Sequence, residues 1–294
     1  MEVYAIVRAH GLRARLLTKE DYEAILRGAR KLWEYPEYSG IAEKDPLDQK
    51  LDKVYRVYVR RMEFLASLSP RLRSFIYALL DRLEVENLKI HLRHVMGYRR
   101  PVVYYPYARF LGPAKLVTLS TEGALWQALQ GTPYALPKDF TFKTAAPVER
   151  EALIESLYFK HLLAEVEALR APPDAISAIR GLVHRDYTVR YNLWERALGP
   201  KLASEVAKAL GLSGVLVSEL LDRLRALPES EALLQGFRDI YRAALRVARE
   251  HPLDAAYICA FNVLACVEAQ NLERIILGSE VGIAEEVINK QLIY

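Results

Sequence analysis

Apolar residues recur along the chain at helical spacing. Leu47, Leu51, Val54, Tyr58, Met62 and Leu65 step by 4, 3, 4, 4 and 3 residues, and Ile154, Tyr158, Leu162, Val166 and Leu169 step by 4, 4, 4 and 3. Each set lines one face of a helix with 3.6 residues per turn. No sustained two-residue alternation with hairpin turns is found. The nearest to extended structure is "RPVVYYPYARF" at 100–110, and Pro101 and Pro106 interrupt it. The pattern predicts an all-α fold.

Polar punctuation marks out the helices. Thr18 three residues before Asp21 reads as a capping box opening a helix over 19–28. Ser69 and Pro70 read as the cap and first turn of a long helix running to about Val95. Ala146-Pro147 opens another, and Pro172-Pro173 separates it from the helix that carries Asn192. Pro252 is predicted to open the last long helix and Gly278 to end it. A short closing helix follows, with Ile283, Val287 and Leu292 as its apolar side. Larger breaks near 97–113 and at Gly199-Pro200 divide the chain into 1–105, 106–198 and 199–294, each the size of a small domain.

Three polar residues interrupt this pattern in a related way. Asn87 lies in the stripe Ile76, Leu80, Leu83, Ile90, and Asn271 in the stripe Phe261, Leu264, Ile275. Asn192 follows Leu182, Asp186 and Val189 on a more mixed face. An inward amide disfavours a helix by about 0.7 kcal/mol against Ala, and an unpartnered one costs roughly 1–3 kcal/mol more. Each Asn is therefore expected to have partners. Glu84 and Glu268 stand three residues before Asn87 and Asn271, on neighbouring positions of the same helix. In the second copy Val189 holds that place, and Asp186 is the nearest preceding acid. Arg93, Arg196 and Arg274 follow the three Asn and are the candidate partner-binding residues. The unit is an acid, then Asn-Leu, then a base, near the end of a long helix. It reads either as a repeated structural device that presents charge at one end of the protein, or as three unrelated buried polar groups.

Composition adds bounds. The chain has 294 residues, 52% apolar and 27% charged, enough for a globular core. Scarce Asn, Gln, Met and Cys beside abundant charge point to a thermophilic source. Cys259 and Cys266 lie about 10 Å apart along one predicted helix, too far to bridge. The longest apolar run, 255–267, has 13 residues and contains Asn262, short of the roughly 20 that a membrane span needs. The N-terminus lacks the apolar run of a signal peptide. Residues 1–110 carry 21 Lys+Arg against 14 Asp+Glu, while the rest carries 20 against 23. The basic first third keeps one alternative open, an all-helical regulator that binds nucleic acid.

Catalytic signatures are missing. There is no P-loop, G-x-G-x-x-G, G-x-S-x-G or H-E-x-x-H. His91 and His94 form H-x-x-H, but no third metal ligand is evident. The sequence nominates no catalytic, metal or cofactor residue and no small-molecule ligand. The tyrosines of 100–110 fit an inter-domain connection better than a base-stacking surface.

A family resemblance orders these features. Residues 4–26, "YAIVRAHGLRARLLTKEDYEAIL", resemble the opening of a central-stalk component of archaeal and vacuolar-type rotary ATPases, the one lettered C in archaea and d in eukaryotes. "VENLKIHLR" at 85–93 resembles its first repeat motif, and "EAQNLERII" with "GIAEEVINKQLI" its C-terminal motif. The resemblance implies three similar helical domains around a pseudo-threefold axis, forming a funnel. It implies a non-catalytic rotor subunit, peripheral on the cytoplasmic face of the membrane. Its partners would be the central-stalk axle subunits and the membrane proteolipid ring. It implies no cofactor and no nucleic acid.

Overall fold

The computed structural model describes residues 2–98 and 103–294. Arg100, Pro101 and Val102 of the Pro-broken stretch lie outside the described residues. The described chain is 71% helical with no strand, which bears out the all-α expectation.

The helices follow a simple order of lengths. Short α1 (Glu2–Arg13) and α2 (Lys19–Leu26) precede long α3 (Leu47–Leu68) and α4 (Arg73–Val95). Short α5 (Pro113–Leu116) and α6 (Glu122–Ala128) precede long α7 (Pro147–Glu167) and α8 (Pro173–Leu198). Short α9 (Pro200–Ala209) and α10 (Ser218–Arg225) precede long α11 (Glu229–Glu250) and α12 (Ala255–Glu280), and α13 (Glu285–Gln291) closes the chain. Two short helices and then two long ones thus occur three times.

Several helix starts match the local chemistry. Thr18 caps α2 with a reciprocal box to Asp21, and Pro stands first in α7. Other boundaries differ from expectation. α4 begins at Arg73, because Ser69 closes α3 and 70–72 form a turn. α12 begins after Asp254, whose carboxylate accepts the Ala256 N–H, rather than at Pro252. Gly278 does not end α12. It is buried inside the helix, where a Cβ would lie 2.7 Å from Ile288 Cδ1. Accordingly Ile288 and Leu292 are the buried side of the chain's end, while Val287 and Ile283 face outward.

The chain gathers into two compact units. One comprises Met1–Ile76, Ala171–Ile179 and Phe237–Tyr294, the other Tyr77–Arg170 and Arg180–Gly236. In the first, α12 packs along α3 and α1, and α13 folds onto α12. α12 is the one helix among the described residues long and apolar enough to cross a bilayer, yet 83% of its most apolar window is buried here. Phe261, Leu264, Leu272 and Ile275 are among its buried residues, and the Tyr58 hydroxyl of α3 donates to Asn262 Oδ1 at 2.7 Å. In the second unit α9 lies on α7, and Phe159 of α7 meets Tyr187 of α8 edge to face with ring centroids 5.2 Å apart.

Candidate functional site

The inward polar residues of the long helices fasten backbone. On α4, Glu84 and Asn87 are fully buried. The Glu84 carboxylate accepts the N–H groups of Arg109 at 2.8 Å, Phe110 at 3.0 Å and Leu111 at 2.5 Å. The Asn87 amide treats Tyr105 as a strand would. Its Oδ1 accepts the Tyr105 N–H at 2.7 Å, and its Nδ2 donates to the carbonyls of Tyr105 and Tyr107 at 3.0 and 3.1 Å. Residues 105–111, which lead into α5, are held at both ends. A segment without secondary structure has no ladder of its own, so these buried side chains satisfy its backbone.

α12 repeats the device. Asn271 Nδ2 donates to the Ile293 carbonyl at 2.7 Å, and its Oδ1 accepts the Ile293 N–H at 3.0 Å. Glu268, three residues earlier, accepts from the Leu17 N–H, the Tyr38 hydroxyl and Arg61 Nη1, each at 2.5 Å. Leu17 leads into α2. Arg61 is only 3% exposed in its side chain. Burial works against its charge, but Glu268 with Tyr38 and Glu37 together raise its pKa above the usual arginine value.

α8 does the same work with other residues. The place of Glu84 and Glu268 is taken by Val189, against which Gly236 of α11 comes so close that a Cβ there would lie 2.6 Å from Val189 Cγ2. Instead Thr188 Oγ1 accepts the Val217 N–H at 2.9 Å, directly before α10. Asn192 Oδ1 accepts from Arg196 Nε at 3.1 Å, and Arg196 Nη2 donates to the Leu224 and Leu227 carbonyls at 2.6 and 2.9 Å. Asn192 Nδ2 is buried without a hydrogen-bond partner. Asp186 stands 3.5 Å from Arg190 and is not paired with Asn192. Thus α4, α8 and α12 each fasten the lead into a short helix: α5, α10 and α2.

The three candidate arginines are placed differently. Arg93 grips Glu151 with two parallel bonds of 2.6 and 2.5 Å, the fork geometry that makes such pairs strong. Arg196 serves the carbonyls just described. Arg274 is half-buried, burial lowers its pKa, and its Nη1 donates to Asn271 Oδ1 at 3.3 Å.

A second charge cluster joins α4, α7 and α8. Glu155, 1% exposed in its side chain, accepts Lys89 Nζ at 2.5 Å and Arg82 Nη2 at 2.9 Å, with Arg190 Nη1 4.0 Å away. Glu86 receives the same Arg82 and Lys89 at 2.8 and 3.0 Å. Burial opposes ionisation of Glu155, yet Lys89 and Arg82 prevail and hold its pKa below the usual range. Such clusters add little to net stability compared with apolar packing, but loss of one member leaves buried charge uncompensated.

Residues that chemistry could draw on are engaged by the fold. His91 uses both ring nitrogens: Nε2 reaches the Leu119 carbonyl at 2.9 Å and Nδ1 the Tyr104 hydroxyl at 2.7 Å. Among the described residues no group of three or more His, Cys, Asp or Glu is set to hold a metal. Cys259 is buried and Cys266 half-buried, and neither is in a disulfide. A cavity of about 500 Å³ opens beside Phe140, Leu202 and Val206. Two of its carboxylates are engaged: Glu149 takes the Lys143 and Thr144 N–H groups, and Glu205 pairs with Lys143. No protein-family model matches the chain, and no curated protein is significantly similar to it.

Sequence reasoning had missed Arg61, Glu155, Thr188 and Gly236. A signal for Glu155 existed: it stands within the apolar run Ala152, Leu153, Ile154, Leu157. The others depend on tertiary neighbours and left no local trace.

Proposed function

We propose that this chain is a non-catalytic rotor subunit of an archaeal- or vacuolar-type ATP synthase or ATPase. It is a socket that links the central axle to the membrane proteolipid ring and transmits torque for proton or sodium transport. The observation that carries the reading is the thrice-used order of two short and two long helices, with the second long helix of each set fastening the lead into a short helix. In the order of the chain, α4 holds the entry to the second set, α8 an entry within the third, and α12 the entry to α2 in the first. That cyclic scheme is what three related domains, 1–105, 106–198 and 199–294, arranged about a pseudo-threefold axis as a funnel require. The resemblance of residues 4–26, 85–93 and the C-terminal motif to the central-stalk family supports the same reading.

The physics suits the role. A torque-bearing adapter needs stiffness, and buried carboxylates on backbone N–H groups, with charge-assisted bonds of about 1.5–3 kcal/mol each, stiffen connections that are otherwise free. In this reading the subunit is peripheral on the cytoplasmic face of the membrane. The basic first third gives little support to nucleic-acid binding, because Arg27, Lys53, Arg56, Arg61, Arg82 and Arg93 all lie against carboxylates.

Co-sedimentation tests the proposal. The full chain, mixed with detergent-solubilised proteolipid ring and separately with purified axle subunits, is expected to co-sediment with both. Association with neither contradicts the reading.

A further inference from the structure

The outward face of α1 is apolar where a surface helix is ordinarily polar. Ala5, Ile6 and Ala9 turn inward onto α3 and α12. Yet Val3, Tyr4 and Val7 are 60, 55 and 51% exposed. A helix apolar on both sides is one made to be covered on both. Gly11 continues the exposed line of Val3 and Val7 at four-residue spacing. Apart from Pro, Gly is the least favourable residue in a helix interior, and here nothing lies within 4 Å of where its Cβ would stand. The fold of this chain gives no reason for that glycine. Close approach of another backbone would.

The charge beside the face names the occupant. α1 and the turn after it carry Arg8, Arg13 and Arg15 against Glu2 alone. Arg8 spends its charge on the ring of Phe64, 5.4 Å from the centroid, rather than on a carboxylate. Phe64 is itself 36% exposed and extends the apolar surface onto α3. Arg15 reaches Glu37 at 3.2 Å but keeps 63% of its side chain exposed. On α3, Glu63 is exposed next to Phe64.

We propose that this face docks an amphipathic helix of a partner protein whose apolar stripe is flanked by acids. Val3, Tyr4, Val7 and Phe64 take the stripe, Gly11 allows the helices to approach closely, and Arg8 and Arg15 meet the flanking carboxylates. The inference is independent of the rotor reading.

The test uses the full chain and two fluorescent synthetic helices of about 20 residues with the same leucine stripe, one flanked by Glu and one by Lys. Anisotropy is expected to show binding of the Glu helix and at least about tenfold weaker binding of the Lys helix. Gly11→Leu fills the line without touching the fold. It is expected to weaken the Glu helix at least about tenfold while leaving the thermal midpoint unlowered. No binding of the Glu helix, equal binding of the two helices, or indifference to Gly11→Leu overturns the proposal. So does sedimentation showing a dimer of this chain, or uptake onto phosphatidylglycerol vesicles, that Gly11→Leu abolishes.

Discussion

Asn271 holds Ile293 from both sides, donating to its carbonyl at 2.7 Å and accepting its N–H at 3.0 Å. Asn87 does the same to Tyr105, whereas Asn192 bonds a side chain and leaves Nδ2 unpartnered. The three Asn therefore differ in worth. Asn87→Leu and Asn271→Leu each strand buried backbone groups and are expected to cost about 2–4 kcal/mol. Asn192→Leu is expected to cost less than about 1 kcal/mol beyond any repacking. Urea unfolding of the three variants checks the order, and equal losses at all three positions would refute it.

Glu155 neutralises Lys89 and Arg82 in a buried setting. Glu155→Leu leaves both cations and the nearby Arg190 without that carboxylate, and is expected to cost about 3–5 kcal/mol. Glu219→Leu, on an exposed position of α10, serves as the control and should change stability by less than about 0.5 kcal/mol.

Asp81 gives a pH dependence with a definite sign. It is fully buried beside Tyr107 and Arg109. Burial pushes its pKa from 3.8 up to about 6, against the hydroxyl and the guanidinium that favour the anion. The folded state thus holds this proton more tightly than the unfolded chain. Its contribution is complete below pH 3.8 and is lost as the pH rises through 6. Asp81→Asn cannot titrate, so it should gain about 2.4 kcal/mol relative to wild type between pH 4 and pH 7. Denaturation at several pH values measures that difference. A constant difference would mean that Asp81 titrates normally. The buried His91 and the half-buried His161 and His184 act in the opposite sense: desolvation lowers each pKa, so their contribution is present above 6.5 and lost on acidification. His91 and His184 cancel in the comparison of the two proteins, whereas His161, whose Nε2 stands 3.8 Å from Asp81 Oδ2, loses that neighbouring carboxylate in the variant.

Local chemistry made much of the fold legible. The capping box at Thr18 and the opening at Pro147 acted where they were read, and the breaks read at Pro173 and Pro200 coincide with helix starts, because caps and first-turn prolines work within a few residues. The inward Asn87 and Asn271 were legible too, since an amide in an apolar stripe has to be satisfied. Their partners were not, because Tyr105 and Ile293 lie 18 and 22 residues away in segments without periodicity. Gly278 was misread for a related reason. A helix-ending glycine and one that admits Ile288 look alike in sequence, and only the packing of α13 separates them. Charge presentation by Arg93 and Arg196 could not be judged from the sequence, since their acceptors, Glu151 and the carbonyls of Leu224 and Leu227, come from other helices.

The most direct test of the rotor reading is coupling. Vesicles bearing the rotary complex, with and without this subunit, are assayed for ATP hydrolysis and for ATP-driven ion uptake. The account predicts that removal abolishes uptake while hydrolysis continues, and that adding back the full chain restores uptake. Uptake that persists undiminished without the subunit would contradict it.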